Sequence, residues 1–133
     1  MTVTHKYRHD NQNSIYYLKP GSTDIFFLDF GRQSFLQEQL NWKRGQGLIP
    51  HQMSSVQTSD TNILVVGGCS GSEQNPLSDC LLIDGNLTVY EREKMKTARF
   101  SAVLALIRDR FVLAMGGMTG KTTATHLCEA FDI

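Results

Sequence analysis

The sequence carries no excess of either charge: thirteen Lys and Arg stand against thirteen Asp and Glu. That balance removes the electrostatic footprint of a nucleic-acid or anionic-membrane surface. Long apolar runs are missing too. The longest strictly apolar stretch is the six residues from Ala102 to Ile107, far short of the ~20 needed to span a bilayer. The start, "MTVTHKYRHDNQ", lacks the apolar centre of a secretory signal. Cysteine is sparse. Cys69, Cys80 and Cys128 cannot all pair within one chain and are too scattered for a Cys-x-x-Cys zinc clip. Without a secretory signal, the expectation is reduced, buried thiols in a cytoplasmic protein. His5, His9, His51 and His126 are equally dispersed, and no carboxylate pair suited to acid–base work is evident. The expectation is therefore no catalytic residue, no metal and no cofactor.

What is present suits one globular domain: 133 residues, 41% of them hydrophobic. One stretch, "FVLAMGGMTGKTT" (Phe111–Thr123), invites a nucleotide reading. Gly120, Lys121 and Thr122 follow an apolar strand, and Ala124, Leu127, Cys128 and Phe131 fall at helical spacing. A phosphate would then sit over Gly116–Thr122 at a helix N-terminus. Against this, Met115 stands where the first loop glycine belongs. Counting from Gly116 leaves the loop one residue short, which alters a cradle made of successive N–H groups.

A second feature explains the same stretch without nucleotide. "DTNILVVGGCSGSEQNPLSDCLLID" (Asp60–Asp84) aligns with "DRFVLAMGGMTGKTTATHLCEAFD" (Asp109–Asp132). Gly67 and Gly68 match Gly116 and Gly117 at a separation of 49, and Cys80 matches Cys128 at 48. Leu28, Asp29, Phe35 and Leu40 align with Ile83, Asp84, Tyr90 and Met95 at 55, and Ile49–Val56 aligns with Ala98–Ala105. Periods near 50 residues signal a repeat architecture. The unit reads as four short strands. The second ends in paired glycines, the third in an aspartate with a turn-forming role, and the fourth carries an aromatic. "YEREKMKTARFSAVLALIRDRF" is rich in helix formers, but its counterpart at 35–56 holds Gly45, Gly47 and Pro50, so the repeat predicts strands there.

These residues resemble the kelch repeats. The likeness lies in the apolar run plus Gly67-Gly68 and Gly116-Gly117, in the aromatic Tyr90, and in "MKTAR" ending at Arg99. The resemblance implies an all-β protein of kelch-like β-propeller blades, four-stranded and antiparallel. Residues 1–12 form a polar segment with at most one strand, at Val3–Tyr7. Residues 13–45 form a partial first blade, 46–92 a second, and 93–133 a third lacking its last strand. About three blades fall short of the roughly four to eight of a closed propeller, so the expectation is an incomplete one. Arg99 is expected to be a buried hydrogen-bonding residue between blades. Kelch-like propellers are mostly protein-interaction modules, with cytoskeletal and ciliary components among them. The resemblance thus implies a non-catalytic scaffold whose protein partners are a larger complex, further blades or a second copy. The alternatives are a small nucleotide-binding domain using Gly116–Thr122 and, third, a propeller enzyme.

Overall fold

In the computed structural model, residues 14–58 and 61–133 are described. The strand expected at Val3–Tyr7 and the histidines His5 and His9 lie outside them. The described chain is all-β with no helix, arranged in several antiparallel sheets, none closed into a barrel.

The first sheet has three strands in sequence order: β1 (Ser14–Leu18), β2 (Asp24–Asp29) and β3 (Ser34–Gln39). The middle sheet contains β4 (Asn41–Trp42), β5 (Ser54–Gln57), β6 (Ile63–Val66), β9 (Cys80–Ile83) and β10 (Thr88–Arg92), in the order β4-β10-β9-β6-β5. Its pairings are antiparallel except the short β4–β10 contact, which is parallel. A two-stranded ribbon, β7 (Cys69–Ser70) with β8 (Asn75–Pro76), projects between β6 and β9. The third sheet is β11 (Val103–Ile107), β12 (Phe111–Met115) and β13 (Cys128–Asp132).

The sheets stack through strand alternation. Successive side chains of a strand face opposite ways, and β6 is buried at all four positions because both of its faces are covered. Ile63 and Val65 join Ile83 and Val89 against Leu18, Ile25 and Phe27 of the first sheet. Leu64 and Val66 join Cys80 and Met95 against Val112 and Ala114 of the third. The middle sheet is thus the shared wall of two apolar layers. At one edge, the Tyr16 hydroxyl meets Ser55 Oγ at 3.0 Å, and Ser54 Oγ donates to the Ala102 carbonyl at 2.5 Å.

The internal repeat recurs in the backbone. Isolated bridges join His51 to Cys69 and Phe100 to Met118, each partner 49 residues beyond its counterpart (51 to 100, 69 to 118). Gln52 and Ser101, at the same spacing, both hold positive φ, 51° and 54°. One alignment slips. Leu28 pairs with Phe35 but Ile83 pairs with Val89, so the turn after β2 is one residue longer than the turn after β9. Phe35 therefore occupies the place of Val89, and Leu36 that of Tyr90.

The helix at the spacing of Ala124, Leu127, Cys128 and Phe131 is absent. Cys128–Asp132 is strand β13, paired along its length with β12. Phe131 packs toward the middle sheet while Cys128 and Ala130, three and one residues before it, are exposed, which is period two. Residues 93–102, the richest in helix formers, run as irregular backbone pinned to neighbours: Met95 N–H donates to the Ser78 carbonyl at 2.9 Å and Arg99 N–H to the Leu77 carbonyl at 3.0 Å.

Candidate functional site

Arg99 is the largest of the fully buried side chains among the described residues. Its guanidinium bridges the segment before β11 to both ends of the loop after β12. One terminal nitrogen donates to the Gly116 carbonyl at 3.0 Å and the Leu127 carbonyl at 2.6 Å; the other meets Glu129 Oε2 at 2.8 Å. Glu129 also accepts the backbone N–H of Lys96 at 2.6 Å and of Thr97 at 3.1 Å. Burial pushes the Glu129 carboxyl upward, but these N–H donors and the Arg99 charge outweigh it and hold it below the usual range. A buried charge pair of this kind needs every partner in place, so the cluster fixes the third sheet against the middle one. Arg99 was singled out from the sequence, but Glu129 was not. A lone carboxylate at an inward register position of "CEAFD" was the signal available.

The paired glycines follow directly on β6 and β12, and all four have positive φ. Gly67 is sterically the most constrained: a Cβ there would fall onto the Arg99 carbonyl oxygen. At Gly117, with φ +94°, a Cβ would lie 2.6 Å from the Phe100 carbonyl oxygen. Each pair thus lets the arginine-bearing segment, or its counterpart, lie directly on the strand end.

Gly120, Lys121 and Thr122 lie in a tight bend closed by hydrogen bonds from the N–H groups that flank it. Thr119 N–H donates to the Thr123 carbonyl, Thr125 N–H to the Gly117 carbonyl, and Met118 N–H to the Phe100 carbonyl. Lys121 and Thr122 are exposed, and no helix follows to present free N–H groups to an anion. Tyr90, on β10, is half-buried beside Trp42, Lys43 and Arg44, and the Asp84 charge holds its phenol above the usual range. Two of the strand-ending aspartates shape turns: Asp84 Oδ1 accepts the N–H of Asn86 and Thr88, and Asp29 Oδ1 that of Arg32. Asp132 instead pairs with Arg110 at 2.8 Å.

His51 and His126 are exposed, each meeting a cysteine only through its backbone carbonyl, which accepts from Cys69 N–H and Cys128 Sγ respectively; Cys69 and Cys80 are buried and Cys128 is exposed. No cluster of metal-ligating side chains, and no helix long and apolar enough to cross a membrane, occurs among the described residues.

The surfaces that stand out are apolar. Ile15, Tyr17, Phe26, Leu28 and Phe35 occupy the face of the first sheet that turns away from the middle one, and they line an open groove of about 450 Å³. Phe35 is 65% exposed and Tyr17 58%. The Phe26 ring stacks on Phe35 at 5.5 Å and meets Tyr17 at 6.1 Å. At the opposite end, Val103 is 62% exposed and Ile107 42%. They share the outer face of the third sheet with Ala105, Leu113 and Met115, which sit opposite or between them in register. Each end face is thus of the same chemical kind as the faces buried within the stack.

No family model matches the chain, and no curated protein matches it. Among solved structures, that of YjhT superposes with a TM-score of 0.66 at 17% identity, over 91% of this chain. The chain spans 40% of the length of the YjhT chain. The likeness is one of fold.

Proposed function

We propose that this chain is a non-catalytic interaction or structural scaffold, built of kelch-like propeller blades and held in a larger protein assembly. The observation that carries the reading is the pair of opposed apolar end faces, one centred on Phe35 and Phe26 and the other on Val103 and Ile107. Contiguous apolar surface of this kind is rarely left in water. The two internal interfaces supply the pattern for covering it: in each, one alternating apolar face lies on another. A further sheet on each end face, from a neighbouring protein or further blades, would extend the same stack. The 40% span of the YjhT chain supports a stack that continues.

Light scattering on the isolated chain tests this, alongside Phe35→Glu and Val103→Glu. The expected result is self-association or aggregation of the parent chain, reduced by either substitution and most by both. A soluble, cooperatively melting monomer of the parent chain would overturn the reading. A discrete dimer that each substitution dissociates would mean that a second copy covers the faces.

A further inference from the structure

No further inference is drawn: the strongest candidate, the cleft of about 460 Å³ at the β4 edge of the middle sheet lined by Trp42, Lys43, Arg44, Val89, Tyr90 and Glu91, sets side chains of both charges on an open edge, and nothing in the structure shows what covers it.

Discussion

Arg99 and Glu129 meet at 2.8 Å with the arginine side chain wholly buried and the carboxylate 16% exposed. The pair joins residues thirty apart in sequence and ties the segment ahead of β11 to β13. Removing the cation would strip the Gly116 carbonyl of its guanidinium donor, leave the Leu127 carbonyl with Gly116 N–H alone, and leave the Glu129 charge with only the Lys96 and Thr97 N–H groups. Breaking one side of a buried, hydrogen-bonded pair costs about 3–5 kcal/mol. Arg99→Met is therefore expected to lower the stability of the folded chain by that order in urea denaturation. Arg99→Lys should recover only part of it, because an ammonium lacks the planar fork that serves these acceptors together. An Arg99→Met protein within about 0.5 kcal/mol of the parent would mean that the pair carries no stability.

Acid should expose the same pair. The Glu129 carboxyl is held below its unfolded value of 4.5 in the folded chain. Its contribution is then fully present above that value and is lost as pH falls through the lower folded one. Asp132, lowered by its hydrogen bond to Arg110, works in the same direction, but that pair is exposed and salt-screened. The denaturation midpoint is expected to fall as pH drops below about 4.5. Glu129→Gln should be less stable at neutral pH and should lose part of that acid sensitivity. Parallel pH profiles for the two proteins would count against it.

The glycine pairs predict a ranked series. Gly116 has φ +65° and room around it, since an added Cβ would approach only the Thr125 carbonyl oxygen, at 3.6 Å. Gly116→Ala should cost only the backbone term, about 1–2 kcal/mol. At Gly68 an added Cβ would lie 2.7 Å from Pro50 Cβ and 2.8 Å from the His51 carbonyl oxygen. Gly67, Gly68 and Gly117 add such clashes to positive φ, so Val at any of them should destabilise by more than Gly116→Ala does. Thermal melts of the four variants give the order, and an unshifted midpoint at Gly67 or Gly117 would refute the close-approach argument.

What could be read in advance divides by range. β6 and β12 were legible because continuous apolar runs ending in Gly-Gly are local signals, and the bridges at His51 and Phe100 carry the same 49-residue spacing as the sequence. The end of the chain was ambiguous because Cys128 to Phe131 fits both periods locally. Pairing with β12 decides it, and that information lies elsewhere in the chain. The register slip at Phe35 came from one extra turn residue, invisible to an alignment that treats the turns as equal. Glu129 was missed because its partner lies thirty residues away. The incomplete stack was expected, but not which faces it leaves open, since alternation shows that a face is apolar without saying which faces are covered.

The Gly-Lys-Thr stretch gives the last prediction. In a phosphate loop the lysine and successive N–H groups converge on an anion, and a helix starts immediately after. Here Lys121 is exposed, Thr119 N–H is bonded to the Thr123 carbonyl at 2.8 Å, and the chain proceeds through a bridge between Met118 and Ala124 to strand β13. Opening the loop for a phosphate would break the Thr119 and Thr125 bonds, and the latter anchors the loop to Gly117. Lys121→Ala is therefore expected to leave the melting behaviour unchanged, within about 0.5 kcal/mol. Titration calorimetry with ATP or GTP and magnesium should show no heat of binding in either protein. Micromolar binding by the parent chain that disappears in Lys121→Ala would reverse the assignment and make this loop a nucleotide site.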